Sequence, residues 1–442
     1  MIVSNAHAKL VKQLNNSQVV QRDRMNDPYG NTGLLEVVPT TERELADVLT
    51  LASEEEHLVT VEGAGTKRGF AGTLLETEWV VSLQQFTGIV DHSIGDMTVT
   101  VKAGTPLRKL QKELAIFKQA LPFDMPCDEA ATIGGMIATN ESGPKRLRHG
   151  AARDHVIGLR VVYPDGRIIR TGGKVVKNVA GYDMNKLFIG SMGTLGVMTE
   201  VTLKLRPRPK DERVIIAFFN ENQLTLIEDV VASLLDSYME PVALEIMNST
   251  WTEAVTGEAA LGLLISFEDI PSSVHYQEQY VLSQLPKGTN ATIFQREEAN
   301  GFWDQWRKRE SSQTLDQSNQ QTAAVKLKVA VKNFDLFSVL QECKRLTVQY
   351  HVSTSFHGGV GHGLGVIILT GDEQDICLAI ADLRQVIAGA SGHLVLTHAP
   401  LTIRQTVDVW GEPPAYMELL QGIKQAIDPQ RILNRTRFVG GI

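Results

Sequence analysis

The sequence predicts an α+β protein in two parts, a region of strands and hairpins followed by an α/β region in which strands and helices alternate. Three observations carry this. Up to residue 207 the short apolar runs are joined by turns as often as by helical stretches, which is not strict βαβ alternation. The run Leu203-Lys204-Leu205-Arg206-Pro207-Arg208-Pro209-Lys210-Asp211 then ends a strand on two prolines and a cluster of charge, the clearest boundary in the chain. Beyond it, strands are expected at 214–219, 242–246, 261–267, 325–331 and 366–370, with helices at 224–235 and 336–346. A length of 442 residues is long for one core, which agrees with two domains. The expected division is 1–209, 210–400, and a final segment 401–442 without a strong strand that returns to the first part.

Within the first part, a helical lead-in precedes Val37-Val38-Pro39. Thr40-Thr41-Glu42-Arg43-Glu44 then supplies an N-cap with acids in the first turn, and Leu45, Val48, Leu49 and Ala52 follow at helical spacing. Residues 58–61 read as a short buried strand, and 80–83, 99–101 and 159–163 as further strands. Pro164-Asp165-Gly166 is a hairpin turn returning through 167–170, and 106–114 is a helix with proline in its first turn. There is no internal repeat and no low-complexity segment.

Composition excludes several classes. A net charge of −8 with interspersed signs argues against nucleic acid as the main partner. The three cysteines, Cys127, Cys343 and Cys377, are far apart and form no Cys-x-x-Cys pair. That removes a tetrathiolate metal or iron–sulfur site and a disulfide framework, and points to a reducing cytosol. No apolar run reaches the roughly eighteen residues of a membrane span, and the first ten residues lack a signal-peptide pattern. A cytoplasmic protein is expected, with peripheral docking at the inner face of a membrane left open.

Chemistry is concentrated in two glycine clusters. The first reads Thr60-Val61-Glu62-Gly63-Ala64-Gly65-Thr66-Lys67-Arg68-Gly69-Phe70-Ala71-Gly72, and Ala131-Thr132-Ile133-Gly134-Gly135 answers it further along. Glycines without Cβ atoms let backbone N–H groups approach a pyrophosphate and turn inward, while Lys67 and Arg68 add positive charge. The spacing is not the Rossmann Gly-x-Gly-x-x-Gly, because the third glycine falls one residue late and no periodic helix begins on it. Nor is it a Walker loop, since Gly173-Lys174 is followed by Val175. A surface turn and a large phosphate-bearing cofactor are both open on the first cluster alone.

The order of further motifs decides between them. Val101-Lys102-Ala103-Gly104-Thr105-Pro106-Leu107, Ser142-Gly143, Arg148-His149-Gly150, Arg153-Asp154, Gly181-Tyr182-Asp183 and Gly190-Ser191-Met192-Gly193-Thr194-Leu195-Gly196-Val197 follow in series. From Pro39 to about Pro207 the chain resembles the FAD-binding flavoproteins of the vanillyl-alcohol oxidase, or PCMH, type. The resemblance implies a PCMH-type FAD-binding domain followed by a cap domain of the FAD-linked oxidase type. It implies that Gly63, Ala64, Gly65, Thr66, Lys67, Arg68 and Gly69 hold the pyrophosphate of FAD. Pro126, Thr132, Ile133, Gly134, Gly135, Ala138, Thr139 and Gly143 are implied to approach the flavin ring and ribityl chain, and Val197 to contact FAD through its backbone. The FAD is expected to be non-covalent: Cys127 has the wrong offset for a cysteinyl flavin, and the first glycine loop has no histidine.

Within that family the chain is similar to the flavin subunits of bacterial glycolate oxidase and to D-2-hydroxyacid dehydrogenases. The string Gly172 to Asp183, and Met192 where catalytic relatives carry glutamate, resemble the accessory flavin subunit more than the catalytic one. Catalytic relatives bind a divalent metal through a His-x-Gly-Asp-Gly-Asn-x-His pattern. Here Phe356-His357-Gly358-Gly359-Val360-Gly361-His362-Gly363-Leu364 keeps glycines and two histidines without the full ligand series, so no metal is expected. A histidine-only site from His357, His362, His393 and His398 is the weaker alternative to loop histidines that cap strands or meet solvent. Lys174 and Lys177 are weighed as cations beside the flavin ring against ordinary surface lysines, and Trp303 and Trp306 as core residues against a substrate face. No catalytic residue is assigned. The resemblance implies an FAD-binding subunit of a glycolate oxidase or dehydrogenase complex, beside a catalytic flavin subunit and an iron–sulfur subunit, acting on a small 2-hydroxyacid. The rivals are a self-sufficient D-2-hydroxyacid dehydrogenase and a non-catalytic assembly subunit.

Overall fold

The fold was obtained as a computed structural model, which describes residues 2–22, 29–73, 77–124, 129–174, 181–311, 315 and 322–442. Pro126, Cys127, Lys177 and Ala180 lie outside the described residues.

The first part holds two main sheets and a two-stranded ribbon that pairs Gln119–Ala120 with Arg206–Pro207. In the smaller main sheet, the strands run in the order Val19–Gln21, Gly33–Val37, Thr77–Ser82, Val59–Glu62, and the last three are parallel. The helix Glu42–Glu54 begins where expected: Thr41 Oγ1 accepts from Glu44 N–H and the Glu44 carboxylate accepts the Thr41 and Thr40 amides, a reciprocal capping box. Its Leu45, Val48, Leu49 and Ala52 are all buried. The larger sheet is antiparallel, in the order Ile89–Ser93, Thr98–Lys102, Val197–Lys204, Val156–Val162, Ile168–Gly172, with the expected turn at Pro164 to Gly166 joining the last two.

The second part is built on one eight-stranded sheet, ordered Ala291–Gln295, Asp211–Phe219, Leu261–Asp269, Ala243–Met247, Ser353–Gly359, Leu364–Gly371, Ala323–Ala330, His393–His398. Every pairing in it is antiparallel. Alternate residues serve opposite cores, as the pleat requires: Ile215 and Ala217 pack with helices Leu224–Leu235, Asp335–Tyr350 and Glu373–Gly389. Val214 and Ile216 face the other way, onto Trp251, Phe302, Trp303 and Trp306. Trp303 and Trp306 are therefore core residues, each 1 % exposed. The glycine-rich stretch around His357, read as a loop, is a β-hairpin instead, its strands Ser353–Gly359 and Leu364–Gly371 in register from Ser353 opposite Thr370 to Gly359 opposite Leu364.

Buried charge ties the two parts together. Lys145 Nζ sits 2.6 Å from both Glu212 Oε1 and Glu268 Oε1, and Glu268 also meets His149 at 3.0 Å and Arg206 at 2.7 Å. Trp303 Nε1 donates to Glu212 Oε1 at 2.6 Å. The end of the chain lies on the first sheet: Leu433 bridges Val59 in parallel, and Asn434 N–H donates to Val59 O at 2.9 Å. Beneath it Lys424, 1 % exposed, donates to Asp428 Oδ2 at 2.6 Å, Thr194 O at 2.7 Å and Leu433 O at 3.2 Å.

Candidate functional site: a glycine-walled cleft and a buried charge cluster

The strand Val59–Glu62 delivers the chain into the first glycine loop, and the second cluster opens the short helix Ile133–Thr139. The two meet directly. A Cβ on Gly63 would stand 2.1 Å from Thr132 Oγ1, so only glycine lets the loop lie this close to the helix start. Thr132 caps that helix, its Oγ1 accepting from Gly135 N–H at 3.4 Å. Gly65 adopts φ +70°, a left-handed turn that suits glycine.

Two adjoining clefts open along this seam, about 570 and 430 Å³ of empty space with their mouths included. Gly63, Ala64, Gly65, Thr66, Lys67, Arg68, Thr132, Gly135, Ala138 and Thr139 line the first, and Gly134 and Val197 join the lining of the second. Of the anticipated residues that are described, three do not line either. Ile133 is 1 % exposed in the core, Gly69 turns toward His398, and Gly143 packs on Asp124 with its amide on the Asp124 carbonyl at 2.7 Å; Pro126 lies outside the described residues. Lys174 also lies away from the clefts, in an ion pair with Asp91.

Sequence reasoning missed several lining residues. Met192 lines both clefts, and so does Asn434, whose Oδ1 accepts from Val61 N–H at 2.8 Å while its Nδ2 donates to Met192 O at 2.8 Å. Arg437 lines the first cleft and donates to the Lys67 and Phe70 carbonyls at 3.0 and 2.9 Å, bracing the glycine loop from behind. Burial, with Arg404 close by, pulls its guanidinium down to about 10. Asn434 and Thr436 both adopt positive φ, 43° and 65°, in the turn that carries the chain to Arg437.

The charge of Lys67 is engaged within the protein, its Nζ 2.5 Å from Glu141 Oε2. Glu141 is buried, which raises its carboxyl, but Lys67, Lys326 and Lys328 together hold it below the usual range. A separate chain of ionic contacts lies in the second part. Lys326 Nζ lies 3.0 Å from Glu310 Oε2, Glu310 Oε1 lies 3.2 Å from His357 Nε2, and His357 Nδ1 lies 2.8 Å from Glu245 Oε2. Trp251 and Trp306 close over the imidazole with ring centroids 4.5 and 4.7 Å away. Burial disfavours the imidazolium, yet the two carboxylates outweigh it and raise His357 to about 9. Glu310, despite burial, is held well below the carboxylate range by Lys326 and His357. His362 behaves oppositely: burial and then Arg146, His357 and Lys328 pull it down to about 4. Its Nδ1 accepts Leu364 N–H at 3.2 Å, so the proton of the neutral ring is on Nε2.

His357 is thus a buried core group, whereas His362 caps the first amide of the strand Leu364–Gly371. They do not fit a divalent cation, because both nitrogens of His357 already face carboxylates and an internal ammonium occupies the remaining side of Glu310. The first seam does fit a dinucleotide, with a backbone cradle that a Cβ would fill and the buried Glu62 Oε2 and Arg437 Nε unsatisfied beside it.

A dinucleotide cleft between two sheets, capped by a second α/β part, defines a flavoprotein of the two-domain PCMH-type fold. Residues 34–172 match the family model described as FAD binding domain, and residues 208–437 match that for FAD linked oxidases, C-terminal domain. The chain belongs to the FAD-linked oxidases, and its cofactor is FAD. Among solved structures, 4-ethylphenol oxidase from Gulosibacter chungangensis shares the fold with a TM-score of 0.77 and 15 % identity, over 99 % of this chain and 97 % of that one. Among curated proteins, the chain is 32 % identical to glycolate oxidase subunit GlcD of Bacillus subtilis over 51 % of this chain and 48 % of that protein. It is 30 % identical to glycolate oxidase subunit GlcE of Escherichia coli over 49 % of this chain and 61 % of that protein. The mitochondrial D-lactate dehydrogenase [cytochrome] 1 of Saccharomyces cerevisiae is 26 % identical over 90 % of this chain and 70 % of its own length. The chain therefore spans about half the length of several curated relatives it matches. Among the described residues no helix is long and apolar enough to cross a membrane.

Proposed function

We propose that this chain is an FAD-holding subunit of a complex that oxidises a small 2-hydroxyacid such as glycolate, with a homologous flavin subunit performing the oxidation and an iron–sulfur subunit carrying electrons away. The observation that carries the reading is the absence of a usable proton acceptor on the His357 hairpin, beside a well-formed flavin cleft. His357 is protonated at neutral pH and clamped between Glu245 and Glu310, and the nitrogen of His362 that is not bonded to backbone carries a proton. Oxidising a hydroxyacid needs a base near its hydroxyl. FAD, when bound, supplies the two-electron acceptor; the chain's own residues bind and orient it, with Gly63 to Arg68 around the pyrophosphate, Thr132 to Thr139 along the flavin, Val197 offering backbone, and Asn434 and Arg437 closing the far side. The similarity to both named glycolate oxidase subunits supports the assembly.

The test is anaerobic mixing of the purified chain with millimolar glycolate or D-lactate. The flavin absorbance should stay oxidised over minutes with the lone chain and bleach once the partner subunits are added. Rapid bleaching of the lone chain, lost in His357→Ala, would favour a self-sufficient dehydrogenase, the reading supported by similarity over 90 % of this chain to the yeast D-lactate dehydrogenase.

A further inference from the structure

Two guanidiniums fasten the end of the chain to the first glycine loop. Arg404, on the short helix Leu401–Thr406, is 2 % exposed, and its bonds all end on backbone carbonyls. Its Nε donates to Ala399 O at 3.0 Å, Nη1 to Ala71 O at 3.0 Å and to Gly72 O, and Nη2 to Tyr29 O. Arg437, also buried, holds the carbonyls of Lys67 and Phe70. The outer side of the loop is therefore gripped at Lys67, Phe70, Ala71 and Gly72 by residues 332 to 370 positions further along the chain. Thr436 Oγ1 adds an acceptor for Thr73 N–H at 3.4 Å.

Carbonyls satisfy the hydrogens of a guanidinium but not its charge, and a desolvated charge is costly until an opposite one joins it. Among the described residues neither Arg404 nor Arg437 has a carboxylate within ion-pair distance, and Glu62, whose charge reaches Arg437, is already in contact with Arg22. Burial pulls both guanidiniums down to about 10, helped by Arg68 at Arg404 and by Arg404 and Arg68 at Arg437. Arg437 lines the first cleft beside Gly63 to Arg68, with its buried Nε unsatisfied.

We propose that Arg404 and Arg437 make the end of the chain a latch that FAD closes, the pyrophosphate supplying the counter-charge that the two guanidiniums lack. This rests on the reading that places the FAD pyrophosphate on Gly63 to Arg68, and it adds a coupling to that reading. In the loaded chain the final segment grips the glycine loop; in the apoprotein the grip loosens. Linkage makes the effect reciprocal, so a change that loosens the segment weakens FAD binding by the same factor. Arg404 lines neither cleft, so it is a positioning residue whose influence passes through the Ala71 and Gly72 carbonyls. Asn434 carries the loosening to both clefts, since it joins Val61 N–H to Met192 O. The anion alone closes the latch, because every group in it lies at the phosphate end of the cofactor.

Hydrogen–deuterium exchange of the full chain, stripped of FAD and then reloaded, tests this. Amides in residues 60–73 and 430–442 should exchange roughly tenfold more slowly with saturating FAD, a factor typical of coupled sites. ADP and inorganic pyrophosphate should slow them as well, and riboflavin, which has no phosphate, should not. Arg404→Gln and Arg437→Gln keep hydrogen-bond donors and remove the charge, so each should narrow the gap between apo and ADP-bound exchange, whereas a merely structural role would loosen both states alike. Circular dichroism establishes that the variants are folded. Equal exchange in apo and FAD-loaded parent, protection by riboflavin equal to that by FAD, or an undiminished gap in both folded variants would each overturn the latch. FAD binding with a normal flavin spectrum but no change in exchange sinks the latch alone, whereas failure of both FAD and ADP to bind sinks the cradle reading and the latch with it.

Discussion

Gly63→Ala puts the largest strain on the smallest change. The new methyl would lie 2.1 Å from Thr132 Oγ1 and 3.0 Å from Thr132 Cβ and Cγ2. All three atoms belong to one side chain, which is free to rotate only by releasing the Gly135 N–H that it caps. Overpacking of this kind costs about 1–3 kcal/mol, and the lost cap about 1 kcal/mol. Both penalties fall on the seam between the two cleft walls, so FAD affinity should drop by roughly ten- to a hundredfold, since about 1.4 kcal/mol is a factor of ten. Fluorescence titration of apoprotein with FAD measures it. Thr132→Ala alone should lose only the cap. The double variant removes the hydroxyl and Cγ2, leaves a 3.0 Å contact that small shifts relieve, and should bind FAD better than Gly63→Ala. Strictly additive losses, or parent-like affinity in Gly63→Ala, would refute the idea that these walls touch and jointly hold the cofactor.

Lys424→Met should strand Asp428 with two backbone amides and no cation, costing about 3–5 kcal/mol, read as a fall in thermal midpoint; an unchanged midpoint would mean the pair carries no stability. His357 offers a pH signature, facing Glu245 from its neighbouring strand, Glu310 and Lys326 beyond it, and His362 across the hairpin turn. Its folded value, about 9, lies above the ordinary 6.5, so its contribution is full below about pH 6.5 and disappears as pH rises through about 9. On the order of 3 kcal/mol of stability should therefore be lost over that window in the parent, and the loss should be absent in His357→Gln, as followed by urea unfolding at each pH.

What the sequence made legible was local. Thr41, Glu44 and the apolar spacing behind them announce a helix because capping and periodicity act within a few residues. The glycine loop was visible for the same reason. Asn434 and Arg437 were not, because they reach Val61, Lys67 and Phe70 from some 370 residues away through ordinary polar side chains in a segment with little periodicity. The His357 hairpin was hidden by composition. Gly358 and Gly365 resemble loop residues, but each marks a close approach, a Cβ at Gly358 meeting Phe356 and Leu336 at 2.9–3.1 Å and one at Gly365 meeting Val329 at 2.9 Å. Glu245 and Glu310 carry no motif at all; the sheet and the end of helix Glu297–Arg309 bring them to one imidazole.

That convergence changes what two histidines in a glycine-rich segment mean. In sequence, His357 and His362 suggest metal ligands or a base, since a free imidazole serves either purpose. Each purpose needs a lone pair directed at the ligand. The Leu364 amide takes the Nδ1 lone pair of His362, and the surrounding cations keep a second proton off the ring. His357 holds its second proton because Glu310, ionised by Lys326, faces one nitrogen and Glu245 the other. Replacing Glu245 by glutamine would weaken that hold, lower the His357 value and free an imidazole lone pair. If proton acceptance is what the lone chain lacks, Glu245→Gln should show faster glycolate-dependent flavin bleaching than the parent at pH 8. Identical slow rates in a folded, FAD-loaded variant would place the deficit elsewhere.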